Sequence, residues 1–301
     1  MTAKSNLAEA LLSGRTVLTA ECLPPRSANA AAFKKLASDL PAGLDAVVVA
    51  DNPGEVRASA LACAALLEAE GRETVLSLAT RDRNRIALES DVLGAAALGI
   101  RAFLCVSGDH TQLGDRPQSA GVFDMDSIQL TSALKMMATQ ATDFSGLKLD
   151  AALECLIGAV AHPYLRPMEL NLLRLEKKVA AGAAFLITQA VFDLAAFTEW
   201  MNAVRQAGLD KRTAILASVL PLASVEQAKA LAARGTYGPI GDDVLARLAK
   251  AADPIKEGIS IAAQAATKLK AMPGVRGIHI LSGGCEAVAA RVIQEAGLSK
   301  A

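Results

Sequence analysis

The sequence predicts a single (β/α)8 TIM barrel over residues 1–301, and three observations lead to this fold class. Short β-rich runs alternate with amphipathic segments rich in Ala, Leu, Glu and Lys. The runs are apolar on both faces, as in Val47–Val49, which is typical of parallel strands covered by helices. Eight such strand–helix units fit a chain of 301 residues. The alternative, an open doubly wound sheet, would have no eighth strand and usually shows a Gly-rich turn after its first strand.

The predicted elements follow one another at the spacing of a barrel. The strands are Thr16–Cys22, Ala46–Ala50, Thr74–Ala79, Ala102–Ser107, Leu153–Val160, Phe185–Gln189, Ile215–Leu220 and Gly277–Leu281. Helices are expected to begin near Asn29, Gly54, Arg85, Asp126, Pro167, Leu194 and Ser224. Among them, Asp126 is a good N-cap because its carboxylate can accept the free N–H groups of the first turn.

The longest irregular connection that the sequence predicts is Asp109–Phe123, after the fourth strand. Connections of that length in a compact domain are usually functional. The segment contains Gly114, Pro117 and Gly121 and few apolar anchors, which indicates low local stability. We therefore expect a mobile lid over the barrel mouth; the alternative is a surface excursion without contact to the site.

Composition excludes several classes of protein. The 31 Lys and Arg residues balance 31 Asp and Glu, so no basic excess points to nucleic acid or an anionic membrane. Aromatic residues make up 3% of the chain, too few for a base-stacking surface. No run reaches the roughly 18 apolar residues of a membrane span, and no signal peptide pattern opens the chain. The expectation is a cytoplasmic protein.

Neither the cysteines nor the histidines form a metal-binding pattern. The cysteines are Cys22, Cys63, Cys105, Cys155 and Cys285, and no pair has CxxC spacing. Free buried thiols are therefore expected rather than disulfides or structural zinc. The histidines His110, His162 and His279 lie at or near predicted strand ends but lack HxxxH spacing, so no metal site is predicted.

Barrel enzymes carry their chemistry at the carboxyl ends of the strands. The polar residues predicted there are Glu21, Asp51, Asn52, Arg81, Asp82, Arg83, Asn84, Ser107, Asp109, His110, His162, Thr188 and Gln189. This set is sufficient for proton transfer and for recognition of a polar ligand. The sequence also lacks GxGxxG and GxxxxGK[ST] motifs, so neither a Rossmann dinucleotide site nor a P-loop is predicted.

Six segments around these strand ends carry a family resemblance. They are Ala20–Arg26 (AECLPPR), Thr80–Arg85 (TRDRNR), Ser107–His110 (SGDH), Gly121–Leu130 (GVFDMDSIQL), Leu175–Ala183 (LEKKVAAGA) and Ile187–Gln189 (ITQ) with Phe192–Asp193. Together and in this order they resemble the short bacterial methylenetetrahydrofolate reductases. The resemblance implies a flavoprotein barrel without the regulatory domain that binds adenosylmethionine. It implies hydride transfer from NAD(P)H to flavin and then to methylenetetrahydrofolate, which yields methyltetrahydrofolate.

The resemblance assigns roles to three residues. Glu21 matches the acid that would protonate the departing nitrogen when the substrate ring opens to an iminium, and its neighbours are apolar, which suits a raised pKa. Asp109 matches a residue beside the flavin pyrimidine and the folate. Gln189 matches a folate contact, and its amide can donate to and accept from a pterin edge. The alternatives are a solvated or paired Glu21, a turn-forming Asp109 and a polar strand end at Gln189.

The resemblance also implies a flavin site, with FAD slightly favoured over FMN and NAD(P)H as the reductant. Its residues would be Ser77, Arg81, Ser107, Gly108, Asp109, His162, Lys177 and Lys178. Adjacent helical residues point about 100° apart, so Lys177 and Lys178 cannot both face the flavin, and Lys178 is preferred. Arg81 either holds phosphate or belongs to a structural network.

This chain departs from the family pattern in places. Ser77 stands where His or Gln usually contacts the flavin, Ala79–Thr80 replaces a Thr-Cys pair, and Ser282–Cys285 lacks bulkier polar or aromatic residues. Val225 replaces the Phe that some members place against the folate. Ser77 suggests an alternative, direct hydride transfer from NAD(P)H to a methylene-tetrahydropterin without flavin.

A third possibility is a non-catalytic pterin-binding subunit of a one-carbon complex. The retained trio of Glu21, Asp109 and Gln189 argues against it, because binding alone needs no acid. A homo-oligomer or a protein electron donor remains possible. The sequence leaves open the flavin, the nicotinamide, the choice between folate and another tetrahydropterin, and the oligomeric state.

Overall fold

The computed structural model describes residues 5–235 and 237–298. Within them, parallel strands close into a barrel in chain order from β1 to β8. The strands are β1 Val17–Cys22, β2 Ala46–Val49, β3 Thr74–Ala79, β4 Ala102–Val106, β5 Leu156–Ala161, β6 Phe185–Ala190, β7 Ala214–Val219 and β8 Val275–Ile280. Pairing of Val17 with Gly277, and of the residues after them, joins β1 to β8. The predicted (β/α)8 barrel is confirmed, and the open-sheet alternative is wrong.

The helices of the described residues are α1 Asn6–Ser13, α2 Ala30–Asp39, α3 Ala60–Ala69, α4 Arg85–Ala97, α5 Ser127–Gln140, α6 Met168–Ala181, α7 Leu194–Gln206, α8 Val225–Arg234, α9 Asp242–Lys250, α10 Pro254–Lys270 and α11 Ala287–Glu295. The predicted starts near Asn29, Arg85, Asp126, Pro167, Leu194 and Ser224 agree with this map. Asp126 caps α5 as expected, with its Oδ1 accepting from the N–H groups of Ile128 and Gln129 at 2.8 Å each.

Two predicted boundaries are wrong by three residues or more, whereas the other predicted strand ends differ from the structure by at most two residues. α3 begins at Ala60 rather than near Gly54, since Gly54 lies in the left-handed region at φ 85° and the Ser59 side chain caps the helix instead. β5 begins at Leu156 rather than Leu153, because pairing with β4 starts at Leu156 and the Leu153 N–H donates to a carbonyl of α5.

Side chains of each strand alternate between two environments, as the pleat requires. On β2, Val47 and Val49 pack against helices, whereas Val48 belongs to the cluster inside the barrel. Phe185 of β6 fills the interior opposite Gly158, where any Cβ would overlap the Phe185 ring. The inward-facing residues nearer the carboxyl ends of the strands lie beyond these apolar layers, where they can line a site.

The amino end of the barrel is closed by α1, whose Leu7 and Ala10 are buried in the inner cluster. At the other end, the connection from β7 to β8 contains α8, α9 and α10, although the sequence reading located only α8. Apolar side chains of α10, β7 and β8 belong to the same hydrophobic cluster, which lies between the strands and the surrounding helices.

Candidate active site

A cavity of about 300 Å³ opens at the carboxyl ends of the strands. The predicted site residues that line it are Glu21, Ser77, Arg81, Ser107, Gly108, Asp109, His162, Lys178 and Gln189. Its deeper wall is apolar and includes Val48, Leu104 and Ile187. Such a combination of apolar walls and a few convergent polar groups is usual for small-molecule sites.

Glu21 is half-buried near the end of β1, with its Oε2 held by Ser282. The backbone N–H of Ser282 donates to Oε2 at 3.1 Å and the hydroxyl donates at 3.2 Å. Burial raises the pKa of Glu21 and the Glu286 carboxylate adds to the rise, although both Ser282 hydrogen bonds and the charge of Arg57 work against it. With Oε2 engaged, Oε1 is the oxygen left to carry and donate a proton.

Asp109 lies exposed at the mouth, after a glycine that the structure requires. Gly108 has φ 80°, and a Cβ there would approach Cβ of Arg81 to 3.0 Å. Gly108 lines the cavity, and because it has no side chain its backbone is accessible to a flat ligand.

Arg81 forms the network that was one of its two predicted roles. Its guanidinium makes two hydrogen bonds to Asp82, at 2.6 and 2.7 Å. It also donates to the carbonyls of Asn52 at 3.0 Å and Asp109 at 3.2 Å, so it ties together the loops after β2, β3 and β4. Nearby, Arg83 pairs with Asp51 and stiffens the same rim.

Gln189 reaches the cavity because β6 carries a bulge. The register with β7 moves from Ile187↔Leu216 to Ala190↔Ser218, so three steps on β6 oppose two on β7. Thr188 holds the bulge: its hydroxyl accepts from the Ser218 N–H at 3.0 Å and donates to the Gln189 carbonyl at 2.8 Å. A bulge re-aims a side chain, here the Gln189 amide, and Thr188 holds the backbone in the bulged conformation.

Lys178 and His162 stand between the main cavity and a second cavity of about 360 Å³. Lys178 Nζ donates to the Val160 carbonyl at 2.6 Å, and burial, followed by the charge of Arg174, lowers its pKa. Burial, followed by the charges of Lys178 and Arg174, lowers the pKa of His162 to about 4, so His162 is neutral at pH 7. Lys177 is exposed on α6 and lines neither cavity, so its predicted flavin contact gains no support.

Sequence reasoning missed His279 as a site residue. It is buried with 2% of its surface exposed, lines the main cavity, and shares a hydrogen bond of 2.9 Å between Nδ1 and Thr19 Oγ1. Burial lowers its pKa to about 3, so the ring is neutral. Strand alternation could have revealed it, because His279 pairs in register with Thr19, two residues before Glu21.

A second omission is the rim segment, by which we mean Arg234, Gly235, Tyr237 and Gly238. Arg234 and Tyr237 both line the main cavity, although the segment starts at the last residue of α8 rather than at the end of a strand. Burial, with the charges of Glu21 and Asp109, raises the pKa of Tyr237 to about 12. The rim segment thus brings a neutral phenol close to the two predicted catalytic acids.

The expectation that the cysteines are free, buried thiols is confirmed only in part. All are free, and Cys22, Cys63 and Cys105 are buried, but Cys155 is partly exposed and Cys285 is exposed. Across residues 5–235 and 237–298, no cluster of three or more His, Cys, Asp or Glu residues could hold a metal ion. In the same ranges, no helix is long and apolar enough to cross a membrane.

A closed (β/α)8 barrel with a shielded acid, an amide and an aspartate around one ligand-sized cavity defines a barrel enzyme acting on a small polar ligand. Comparison with known families makes this specific, because residues 6–297 match the family described as Methylenetetrahydrofolate reductase. The chain belongs to this family, whose members are oxidoreductases acting on methylenetetrahydrofolate. The predicted family is therefore confirmed.

Relatives and a solved structure agree with this assignment. The chain is 26% identical over 227 residues to the 5,10-methylenetetrahydrofolate reductase of Pectobacterium carotovorum subsp. carotovorum, covering 74% of this chain and 70% of that protein. It is 27% identical over 232 residues to the Salmonella typhimurium reductase, covering 75% and 72%. An uncharacterized protein from Clostridium thermocellum, which binds two copies of 5-methyl-5,6,7,8-tetrahydrofolic acid, shares the fold with a TM-score of 0.67 at 16% identity, covering 98% and 100%.

Proposed function

We propose that the protein reduces 5,10-methylenetetrahydrofolate to 5-methyltetrahydrofolate with a bound flavin, using NAD(P)H or electrons from a partner protein. The observation that carries the proposal is Glu21, a half-buried carboxyl with a raised pKa on the wall of a ligand-sized cavity. Asp109 and Gln189 line the same cavity. The folate ligands of the Clostridium thermocellum protein, which shares this fold, add support.

The reaction needs one proton and one hydride. The five-membered ring of the substrate opens when the carbon–nitrogen bond at the departing nitrogen breaks, and Glu21 Oε1 would supply the proton which that nitrogen gains. The resulting iminium carbon then accepts a hydride and becomes the methyl group. Gln189 would orient the pterin through paired donor and acceptor bonds. Glu21 would regain its proton from water before the next turnover.

The residues around the second cavity fit a flavin nucleotide. When bound, a flavin would take hydride from the donor and deliver it to the folate. Lys178 and Arg174 supply positive charge beside this cavity, and Gly108 leaves bare backbone at the first. The second cavity continues from the first across Ser107, His162 and Lys178, which gives room for more than the ring and supports FAD over FMN.

The absorption spectrum of the purified protein tests the proposal and separates it from its alternatives. Peaks of oxidised flavin, bleached by NAD(P)H and restored by methylenetetrahydrofolate, are expected. A colourless protein that still oxidises NAD(P)H with the folate would instead favour direct hydride transfer. A protein that stays inactive after flavin loading and with every donor would favour a non-catalytic pterin-binding subunit.

Replacing Asp109 with Asn should slow folate reduction by about tenfold or more, because removal of a carboxylate beside a charged reaction centre changes the barrier by more than about 1.4 kcal/mol. The potential of the bound flavin should rise, since the negative charge that opposes the anionic reduced form is gone. Stopped-flow kinetics and redox titration measure both effects. Asp124→Asn is the control: it removes a carboxylate from the same connection between β4 and α5, one residue beyond the predicted lid, where Asp124 pairs with Arg85. Unchanged potential and kinetics in Asp109→Asn would return Asp109 to a turn-forming role.

The connection Asp109–Phe123 is mostly exposed, and it stays a predicted lid. Leu113 lines the main cavity, whereas the Asp115 and Val122 N–H groups are bonded to the Gly54 carbonyl at 2.9 Å and the Arg81 carbonyl at 2.7 Å. Bound flavin and folate should therefore slow hydrogen exchange across residues 112–121. The connection of residues 141–155, which leads to the amino end of β5, serves as internal control. Equal exchange with and without ligand, at known occupancy, would leave only a surface excursion.

A further inference from the structure

The outer surface of the neighbouring helices α3 and α4 is apolar. Its exposed side chains, which we call the α3/α4 face, are Ala62, Leu66, Ala69, Ile86, Ser90, Leu93 and Ala97, with Leu98 at the end of α4. The large ones, Leu66, Ile86, Leu93 and Leu98, are exposed by 44%, 75%, 42% and 56%. The opposite side of each helix is buried against the barrel. A helix that is apolar on all sides is normally covered on all sides.

Other helices around the barrel present charged side chains to water. Exposed examples are Lys35 of α2, Lys135 of α5, Lys177 of α6, Glu199 of α7 and Lys268 of α10. In residues 60–69 and 86–98, by contrast, no exposed side chain is charged. The α3/α4 face therefore lacks the polar layer that separates an ordinary barrel helix from solvent.

The acids that α3 and α4 do contain are engaged beside the face. Glu68 accepts from the backbone N–H and from the hydroxyl of Thr74, at 2.7 Å each. Glu89 accepts from a backbone N–H of the connection before β5 at 3.4 Å, and Asp91 pairs with Arg83 at 2.7 Å. All three carboxylates are half-buried, so they leave the outer surface without charge.

The exposed apolar groups of the two helices form one continuous surface. Both helices follow strands of a parallel barrel, so they run in the same direction, and they pack against each other. Leu66 and Leu93 lie about 9 and 12 Å along their helices, hence at nearly the same level. With helix diameters of about 10 Å and lengths of about 15 and 20 Å, the face covers on the order of 400 Å². Apolar patches of this size on soluble proteins commonly mark interaction surfaces.

The absence of charge favours a second copy of this chain as the occupant. Contact about a two-fold axis places a surface against itself, so residues near the axis meet their own counterparts. A charged residue there would meet the same charge, and the α3/α4 face has none to oppose. The surfaces of homodimers are also more apolar than those that bind other proteins transiently.

The size of the face suits the centre of such an interface. A stable dimer buries about 800 Å² on each partner, with an apolar core and a polar rim. The α3/α4 face would supply the core. Glu70 and Arg85, both exposed at the ends of the two helices, would lie in the rim.

We propose that the α3/α4 face binds the same face of a second copy of this chain and forms a two-fold symmetric dimer. Leu66 and Leu93 lie at the centre of the contact, with Ile86 and Leu98 toward its ends. The cavities at the carboxyl ends of the strands stay open in both copies, because none of their lining residues belongs to the face. The dimer is therefore independent of the reaction that the cavity performs.

Analytical ultracentrifugation of the purified chain, at several micromolar concentrations, tests the proposal. The wild type should sediment with twice the mass of one chain. Leu66→Glu combined with Leu93→Glu should raise the dissociation constant about a hundredfold or more, because the contact would bury unpaired like charges. Leu170→Glu is the matched control: Leu170 is 55% exposed on α6, outside the face, and its replacement should leave the dimer intact.

A mixing experiment separates self-association from damage to the fold. The variant with Leu66→Lys and Leu93→Lys should also be monomeric alone, whereas its mixture with the Glu variant should form dimers, since the two faces then carry opposite charges. Circular dichroism checks that each variant is folded. A monomeric wild type would overturn the proposal without any variant. A dimer that survives the Glu substitutions, or folded variants that stay monomeric when mixed, would overturn it as well.

Discussion

Replacing Glu21 with Gln should reduce the rate of folate reduction by at least about a hundredfold, the usual contribution of a positioned general acid. Gln keeps the size and the acceptor that Ser282 binds at 3.1 and 3.2 Å, but it has no proton to give the departing nitrogen. Reduction of the flavin by NAD(P)H should survive, because that half-reaction opens no ring. Stopped-flow measurement of the two half-reactions separates them, and equal loss of both would contradict the assignment.

The same acid determines the expected pH dependence. Protonated Glu21 is the active form, so folate reduction should fall as the pH rises through the raised pKa, at a pH above the ordinary value of 4.5. The variant Glu286→Gln tests this dependence, because the charge of Glu286 contributes to the raised pKa of Glu21. The Glu286 Oε1 accepts a hydrogen bond from the Leu23 N–H at 3.1 Å, and the amide oxygen of Gln can accept the same bond. It should keep the activity at low pH and move the alkaline limb of the profile to lower pH.

The contribution of Glu21 to the free energy of unfolding should also fall as the pH rises. A carboxyl whose pKa is higher in the folded than in the unfolded protein favours folding when protonated, and this contribution is lost as the pH rises through the folded pKa. Glu21→Gln removes the burial of a charge, so the variant should unfold at higher denaturant concentration than wild type at pH 8. The difference should shrink toward pH 4. Such a gain in stability at the expense of activity is typical of functional residues.

Local patterning was enough to predict the barrel, because each inner strand is a short apolar run bounded by polar residues. In Val47–Val49 all three side chains are buried, two against helices and one inside, and only a parallel barrel or a covered sheet makes that arrangement. Caps were equally readable, as at Asp126, since capping depends on residues two or three positions away. Strand ends then indicated a set of polar residues that includes Glu21, Asp109 and Gln189, and the family resemblance singled out these three.

Long-range contacts account for what the sequence did not reveal. Arg234 is the last residue of α8 and Tyr237 comes soon after it, and their position over the mouth depends on the packing of Gly238 on Ala190 and Tyr164, far away in the chain. The loop around Gly54 is an exception, because the run Asn52-Pro53-Gly54 is a local turn signal that the predicted helix start near Gly54 did not take into account. Bulges also escape local reading, because the extra residue at β6 is defined only by its pairing with β7.

Replacing Gly258 with Ala should destabilise the fold by about 3 kcal/mol, near the upper end of overpacking effects. Gly258 is buried in α10, where a Cβ would overlap the carbonyl oxygen of Leu222 and stand 2.7 and 2.9 Å from its C and N atoms. These are backbone atoms at the turn after β7, so relief requires movement of the whole turn or of α10. Urea unfolding followed by circular dichroism measures the free energy of unfolding.

The matched control is Gly94→Ala, in α4, where a Cβ would meet nothing within 4 Å. Both substitutions add one methyl group to a glycine inside a helix, and helix propensity alone favours Ala by about 1 kcal/mol. Gly94→Ala should therefore stabilise the protein by up to that amount, and the difference between the two variants isolates the steric cost at Leu222. If Gly258→Ala were as stable as Gly94→Ala, α10 would not press on the turn after β7.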